Sequence, residues 1–325
     1  MKKKWLVGVD VGGTSIKMAF IKENGHILDK WSVPTNNADN GKYIIKDIVQ
    51  ALEKSLKRHG LTKGDLAGIG VGVPGPVNYR KGTIEKSVNI GWPDHYPVQA
   101  NLQRECGLPV FIDNDANCAA LGEMWKGSGN GARDLIFVTL GTGVGGGVIV
   151  GGKLVRGVNG AAGEIGHITS VPKGGYPCNC GKNGCLETIA SARGIVRLAS
   201  EKRKIYAETG KKTLLPERFS AKDVLDSARS GDPLCLAVVD EVSFYLGLAL
   251  ANMGNVLNPE KIILGGGVSA AGESWLEHVK TYFERFAFLT VNNSTELTLA
   301  SLGNDAGVIG AAFLVGSGTA AGPVR

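Results

Sequence analysis

The chain has 325 residues, 43% of them hydrophobic and 20% charged, with a formal net charge of +6. This length is enough for two domains with ample cores, and the absence of a basic stripe argues against nucleic acid as a partner. The N-terminal apolar run is short and broken by Asp10, so it is not a signal peptide, and no stretch approaches the roughly 20 apolar residues that span a bilayer. A cytoplasmic protein is therefore expected.

The first part of the chain alternates strands and helices, which predicts an α/β sheet. Apolar runs and helical spacing place the elements as follows: strand 5–10, glycine-rich turn 11–15, strand 16–21, helix 43–59, strand 67–73 closed by Pro74–Gly75–Pro76, strand 109–113 and helix 115–126.

The second part repeats the hairpin of the first. Residues 6–20 and 135–150 share an apolar strand, a Gly/Thr-rich turn and a second apolar strand, and 261–269 give a third strand followed by a helix through Phe286. Two copies of one hairpin suggest two related lobes with a cleft between them, although a chance likeness of two short segments stays open.

The glycine-rich turns are candidate phosphate sites. Residues 141–146, GTGVGG, match the dinucleotide pattern, but that pattern must open a helix and here a strand follows, so nicotinamide binding is a poor second interpretation. No Walker motif is present. A hairpin turn whose bare amides face anionic oxygens remains, for both this turn and 10–17.

The turn 10-DVGGTSIK-17 adds side-chain chemistry. Asp10 is suited to hold Mg²⁺ directly or through water, Thr14 offers a hydroxyl and Lys17 a positive charge. A tight hairpin with a charged rim is the alternative, but the two turns together with 265–267 favour nucleotide binding.

The string 113-DNDAN-117 lies where a strand meets a helix. Either Asn114 or Asp115 can cap that helix. An ionised carboxylate at the mouth of a cleft can also accept the proton of a substrate hydroxyl, and the nearby phosphate turns favour this role for Asp115.

Three of the six cysteines lie within eight residues. Cys178, Cys180 and Cys185 together with His167 complete a Cys₃His set, which predicts a closed, structural zinc site. A redox pair is the weaker interpretation because the usual C-x-x-C spacing is missing, and three free thiols are another alternative.

Seven motifs together resemble the ROK family of bacterial sugar kinases, most closely its glucokinase branch. They are DVGGTSIK (10–17), GVGVPGPV (70–77), DNDAN (113–117), GTGVGGG (141–147), GEIGH (163–167), CNCGKNGCLE (178–187) and LGGGVS (264–269). The resemblance implies an actin-like (ribonuclease H-like) α/β fold of two domains around a cleft. The implied small domain is 1–113 plus 305–325, with a final helix near 305–314, and the large domain is 114–304 with the zinc site and a dimer interface.

The same resemblance implies roles for individual residues. Asp115 would be the general base, and the sugar would contact Gly75, Asn89, Asn114, Glu164, His167 and Glu187. The phosphates and Mg²⁺ would contact Asp10, Gly12, Gly13, Thr14 and Lys17, with Thr142, Gly143, Gly266 and Gly267 completing the nucleotide site. His167 would bind zinc through one ring nitrogen and the sugar through the other.

The expected function is ATP-dependent phosphorylation of D-glucose at O6, with Mg²⁺ and structural Zn²⁺, by a homodimer that binds neither nucleic acid nor membrane. The alternatives are a kinase for another hexose (N-acetylmannosamine, N-acetylglucosamine or fructose) and a sugar-sensing regulator of the same family. A regulator would carry a DNA-binding segment ahead of the first strand, and that strand begins near residue 5.

Overall fold

The computed structural model describes residues 4–87 and 89–316. Its strands are β1 (Trp5–Val11), β2 (Ser15–Lys22), β3 (Ile27–Pro34), β4 (Leu66–Val73), β5 (Val77–Asn78), β6 (Thr83–Ile84), β7 (Val110–Asn114), β8 (Leu135–Leu140), β9 (Val144–Val150), β10 (Lys153–Leu154), β11 (Lys261–Gly265) and β12 (Glu296–Leu299). Its helices are α1 (Ala38–Gly41), α2 (Ile44–Arg58), α3 (Val98–Cys106), α4 (Asp115–Lys126), α5 (Glu187–Ala190), α6 (Ala192–Glu208), α7 (Ala221–Arg229), α8 (Pro233–Leu257), α9 (Glu273–Phe286), α10 (Leu289–Ser294) and α11 (Ala306–Gly316). The elements predicted from the sequence are all present, with ends that differ by two residues or fewer, except that the strand predicted over 261–269 ends at Gly265.

Two five-stranded sheets have the same topology. The first has the order β3-β2-β1-β4-β7 and the second β10-β9-β8-β11-β12. In each sheet the first three strands pair antiparallel as a meander, and the last two join in parallel. The predicted repeat of the hairpin is therefore confirmed, and it extends to the whole sheet.

The carboxyl ends of the parallel strands determine where a site can form. Asp10 lies near the end of β1, Asn114 ends β7, and Gly265 ends β11. Because parallel strands point the same way, the loops that follow them collect at one edge of each sheet. These edges carry most of the motifs noted in the sequence.

Helix α11 returns the end of the chain to the first sheet. A Cβ atom built on Gly8 or Gly70 would lie 2.0 or 1.7 Å from the carbonyl oxygen of Val308 or Ala311, respectively. On the other face of α11, a Cβ on Gly310 would lie 1.6 Å from the carbonyl oxygen of Cys118 in α4. Glycine is thus required for the helix to approach β1, β4 and α4 at backbone contact distance.

Helix α8 corrects one expectation from the sequence. By length and composition it is apolar enough to cross a membrane, whereas the sequence was interpreted as having no such segment. However, 61% of its most apolar window is buried inside the protein, and it packs against α6, α7 and α9. A buried core helix of a globular protein passes the same test, so α8 is weak support for a membrane location.

The predicted domain boundaries at 113/114 and 304/305 stay a prediction. Residues 1–3 and 317–325 of the predicted small domain lie outside the described residues. Helix α4 begins just after the first boundary and packs on α11, on β4 and β7 of the first sheet, and on β8 and β9 of the second.

Candidate active site

A cavity of about 740 Å³ opens between the two sheets. It brings together seven of the residues predicted from the sequence: Asp10, Lys17, Asp115, Gly143, Glu187, Gly266 and Gly267. The other nine predicted substrate and nucleotide residues are described but are not part of this lining: Gly12, Gly13, Thr14, Gly75, Asn89, Asn114, Thr142, Glu164 and His167. Both glycine-rich turns and the helix carrying Asp115 therefore meet at one place.

The turn between β1 and β2 places opposite charges at the cavity wall. Asp10 and Lys17 face each other across the hairpin, with Lys17 Nζ 3.8 Å from Asp10 Oδ2. Lys17 Nζ also donates to the carbonyl oxygen of Asn304 at 3.0 Å. Burial raises the pKa of Asp10, and Lys17 opposes that effect. A desolvated carboxylate at a cavity wall is a suitable ligand for a hard divalent cation.

The tip of this turn is held by backbone contacts. Thr35 Oγ1 donates to the carbonyl oxygen of Gly12 at 2.6 Å, and Thr35 N donates to the carbonyl oxygen of Thr14 at 3.0 Å. A Cβ atom on Gly13 would lie 3.1 Å from the carbonyl oxygen of Asn89. The predicted phosphate turn thus contacts the loop with a predicted sugar residue, although neither Gly13 nor Asn89 lines the cavity.

The start of α4 separates the capping residue from the cavity residue. Asn114 is the N-cap, and its Oδ1 accepts from Ala116 N at 2.9 Å and Asn117 N at 3.3 Å. Asn114 Nδ2 donates to the carbonyl oxygen of Gly75 at 3.0 Å. Most of the hydrogen-bonding capacity of Asn114 is therefore used within the protein, which leaves one side-chain N–H to donate to a ligand.

Asp115 is the first residue of α4 and lines the cavity. Burial and, to a smaller extent, the charge of Asp10 raise the pKa of its carboxyl group to about 6, while amide hydrogen bonds at the helix start oppose the shift. Such a carboxylate is mostly ionised at neutral pH and is basic enough to accept a proton.

The second turn, between β8 and β9, offers backbone amides and glycines but no charged side chain. Val144 N donates to Glu187 Oε2 at 3.0 Å, and Thr142 is exposed at the tip. Just after β11, Gly266 has a φ of +84°, and a Cβ there would lie 2.5 Å from the carbonyl oxygen of Leu140. Only glycine fits this position, which lets β11 end close against β8.

The Cys/His cluster predicted from the sequence is formed. One donor atom from each of His167, Cys178, Cys180 and Cys185 lies within 4.8 Å of the other three. His167 Nδ1 is 3.6 Å from Cys178 Sγ, and the Sγ atoms of Cys180 and Cys185 are 3.5 Å apart. Three sulfurs and one imidazole at this spacing match a four-coordinate metal site with no open position.

Two side chains connect this cluster to Glu164 and to the second turn. His167 directs Nδ1 to the cysteines, and its Nε2 lies 3.9 Å from Glu164 Oε2. Glu187 Oε1 is 4.0 Å from Cys178 Sγ, while its Oε2 accepts from the second turn. The expected division of the two His167 nitrogens between metal and substrate stays a prediction, since His167 is not part of the cavity lining.

The sequence reasoning missed Glu123, which also lines the cavity. Its side chain is buried, and its carboxylate accepts from Ser128 N at 2.9 Å and Leu302 N at 2.9 Å. Glu123 follows Asp115 by eight positions on α4, so helical spacing from Asp115 would have found it.

Known proteins resemble this chain over nearly its whole length. A sequence model of the ROK family matches residues 6–317. The chain is 52% identical to the glucokinase of Halalkalibacterium halodurans over 97% of its own length and 96% of that protein.

Two solved structures have the same fold. The ROK hexokinase of Thermus thermophilus superposes with a TM-score of 0.82 at 32% identity, covering 98% of this chain and 100% of that one. A ROK family glucokinase from Streptomyces griseus, solved in complex with glucose and AMPPNP, superposes with a TM-score of 0.77 at 36% identity, covering 95% and 98%. These neighbours confirm the expected actin-like fold. The antiparallel pairing of β8 with β9 confirms that residues 141–146 form a hairpin turn and do not open a helix, as a dinucleotide-binding motif would.

Proposed function

The chain belongs to the ROK family, and we propose that it is a glucokinase, which transfers the γ-phosphoryl group of ATP to O6 of D-glucose. The observation that carries this proposal is the position of Asp115, a carboxylate with a pKa of about 6 in a cavity between two glycine-rich turns. The similarity to named glucokinases over nearly the whole chain supports it.

Asp115 is the proposed general base. The 6-hydroxyl of glucose would donate its proton to the Asp115 carboxylate as its oxygen attacks the γ-phosphorus in line. The raised pKa makes Asp115 a better proton acceptor than an exposed aspartate while leaving it mostly ionised at neutral pH.

The two turns are the proposed phosphate contacts. Lys17 would supply a positive charge at the cavity wall, and the turn of Gly12, Gly13 and Thr14, which lies outside the lining, would contribute amides from the first sheet, although Gly12 N itself donates to the carbonyl oxygen of Ser15. From the second sheet, Gly143 lines the cavity and Thr142 is exposed at the tip of the turn, and Gly266 and Gly267 of the lining would approach the adenosine. Because phosphoryl transfer needs positioning and charge stabilisation, these contacts supply most of the catalysis expected here.

Two metals fit the residues that are present. Asp10 would hold Mg²⁺, directly or through water, and the ion would neutralise charge on the phosphates. His167, Cys178, Cys180 and Cys185 would hold Zn²⁺ in a structural role. The zinc ligands would fix the directions of His167 and Glu187, which with Glu164, Asn114, Asn89 and Gly75 form the proposed sugar site.

Turnover with a small sugar panel tests the proposal. We expect ATP-dependent formation of ADP with D-glucose at a kcat/KM at least about tenfold above that for fructose, N-acetylglucosamine or N-acetylmannosamine. If the protein prefers one of the other sugars, that sugar is the substrate and the proposed mechanism is otherwise unchanged. No phosphorylation of any sugar would contradict the proposal. A homodimeric state and a cytoplasmic location also stay proposals, and analytical ultracentrifugation tests the first.

A further inference from the structure

Arg156 lies between the two sheets and contacts a residue next to the proposed base. It follows β10 by two residues, whereas its partner Asp113 belongs to β7 of the first sheet. Arg156 Nε donates to Asp113 Oδ2 at 2.6 Å, and the two side chains are 15% and 3% exposed. A buried, charge-assisted bond of this kind restricts both partners because neither charge can return to water.

Asp113 passes this restraint to the start of α4. Its Oδ1 accepts from Asn117 Nδ2 at 2.8 Å and from Asn114 N at 2.9 Å. One carboxylate therefore contacts Arg156 on one oxygen and the first turn of α4 on the other. Asp115 lies between the two anchored positions, so its backbone is held from both sides.

Arg156 also contacts the segments that carry the proposed sugar residues. The centre of its guanidinium lies 4.9 Å from the centroid of the Tyr79 ring, beyond β5. The carbonyl oxygen of Arg156 accepts from Ala162 N at 3.2 Å, two residues before Glu164. The loop in between packs closely on β5, since a Cβ on Gly160 would lie 2.1 Å from the carbonyl oxygen of Val77.

The charges around the buried thiol of Cys118 agree with this placement. Burial raises its pKa well above the usual range, and Asp113, Asp10 and Asp115 raise it further, whereas Arg156 lowers it. Three carboxylates and one guanidinium thus surround the start of α4, and Arg156 pairs with the carboxylate that does not line the cavity.

We propose that Arg156 is a positioning residue: it holds Asp113 and thereby fixes the helix start that carries Asn114 and Asp115 relative to the sugar loops. It does not touch the reacting atoms. The inference rests on the proposed function for its kinetic consequence, while its structural part concerns the helix start alone.

Arg156→Gln tests the proposal by separating sugar from nucleotide. We expect kcat/KM for glucose to fall about 30- to 100-fold, because a shift of about 1 Å in the base costs about that much, while KM for ATP stays within about twofold. Arg156→Lys keeps the charge near Asp113, and its kcat/KM for glucose should be about tenfold higher than that of Arg156→Gln. Arg133→Gln is the matched control, since Arg133 is an exposed arginine in the loop just before β8 and should leave both values unchanged.

The double variant Asp113→Asn/Arg156→Gln examines the pair without an unpaired buried charge. If the two side chains act as one unit, the double variant loses no more than Arg156→Gln alone. Fully additive losses, or equal losses for glucose and ATP, would overturn the proposal. A glucose kcat/KM within twofold of the parent in folded Arg156→Gln would do so as well.

Hydrogen exchange measures the helix start without using activity. The amides of Ala116 and Asn117, which donate to Asn114 Oδ1, should exchange at least about tenfold faster in Arg156→Gln than in Arg133→Gln. Unchanged exchange at these amides would refute the positioning role even if turnover of Arg156→Gln falls. A parent protein that phosphorylates no sugar would refute the proposed function, and the exchange rates would still decide the role of Arg156.

Discussion

The two glycine-rich turns occupy the same position in two sheets of identical topology, yet they differ in chemistry. The β1–β2 turn carries Asp10 and Lys17, whose charged atoms are 3.8 Å apart at the cavity wall. The β8–β9 turn, GTGVGGG, has no charged side chain of its own, and its Val144 amide is bound by Glu187, which comes from the segment after the cysteines. The repeated scaffold thus supplies backbone amides twice but side-chain charge only once.

The difference suggests a division of tasks between the lobes. The first turn is suited to a divalent cation and phosphate charge, because a carboxylate and an ammonium group stand beside its amides. Glu187 connects the second turn to the Cys/His cluster, so the geometry of this turn depends on a cluster that does not contact it directly. Substitutions on the two sides should therefore affect different kinetic parameters.

The largest expected effect lies between the turns, at Asp115. Asp115→Asn removes the proton acceptor and should lower kcat by about 10³-fold, roughly 4 kcal/mol of transition-state stabilisation. A coupled assay for ADP measures the loss. Near-normal turnover in a folded Asp115→Asn protein would show that the base is assigned wrongly.

The thermal midpoint serves as the control for this variant. Because burial raises the pKa of Asp115 in the folded state, its ionised form disfavours folding above about pH 6, and this cost diminishes as the pH falls from about 6 to the unfolded-state pKa of about 4. Asparagine removes the cost, so Asp115→Asn should unfold at the same temperature as the parent at pH 7, or at a higher one.

The second largest effect is expected on the charged turn. Asp10→Asn should lower kcat about 100-fold and raise the Mg²⁺ concentration needed for half-maximal rate, because the ion loses an anionic ligand. Glucose binding, measured by calorimetry, should change less than threefold. A large loss of glucose affinity with an unchanged Mg²⁺ requirement would show that Asp10 acts in sugar binding and not in metal binding.

On the other side, Cys180→Ser should release the bound metal and weaken glucose binding about 30-fold. The reason is that the cluster orients His167 and Glu187, and loss of such support costs about 10- to 100-fold. Metal content and the two dissociation constants are the measurements, and Asn183→Ser in the same loop is the control. Equal losses for glucose and ATP, or an unchanged glucose affinity in metal-free protein, would disprove the coupling.

The pH dependence of kcat reports the state of Asp115 in the intact enzyme. With a pKa of about 6, the rate should be half-maximal near pH 6 and fall about tenfold per unit below it, since the protonated acid cannot accept the hydroxyl proton. A rate profile measured from pH 4.5 to 8 checks this. A midpoint near 4 would mean that the carboxyl group is not desolvated in the complex.

The smallest effect is expected for Lys17→Met. Lys17 is partly exposed and also donates to the carbonyl oxygen of Asn304, so it adds one screened positive charge to the phosphate site. KM for ATP should rise about three- to fivefold, and more so at low salt. Lys22→Met, at the far end of the same strand, should leave KM unchanged, and equal effects of the two would remove Lys17 from the site.

The sequence predicted those elements whose pattern is local. Helix α4 was placed correctly because Asn114 and Asp115 are recognisable at a helix start, and α2 because its apolar residues recur at helical spacing. Helix α8 lacked such a pattern, since a core helix with several buried faces has no polar stripe to mark its period. Strand β3 is an edge strand that pairs only with β2, and its residues alternate between half-buried and exposed. Its apolar content is therefore low, and the sequence pattern did not indicate a strand there.

The sequence predicted which residues form the site better than it predicted which of them contact each other. The ligand set His167, Cys178, Cys180 and Cys185 followed from residue type and spacing, and its donor atoms do meet. The bond between Arg156 and Asp113 was not foreseen, because the two residues are 43 positions apart and Arg156, in the loop after β10, belongs to no motif noted in the sequence. Contacts of this kind depend on how the sheets pack, which no local pattern records.

The close fit of α11 on β1, β4 and α4 has a consequence for the order in which the chain folds. Gly8 and Val308 touch although nearly the whole chain lies between them, whereas strands β8 to β12 of the second sheet follow one another without a segment from the first. Closing the longer loop costs more entropy, so we expect the second sheet to assemble while the first still lacks its covering helix. During synthesis the strand with Asp10 and the helix start with Asp115 would thus be the last to become rigid.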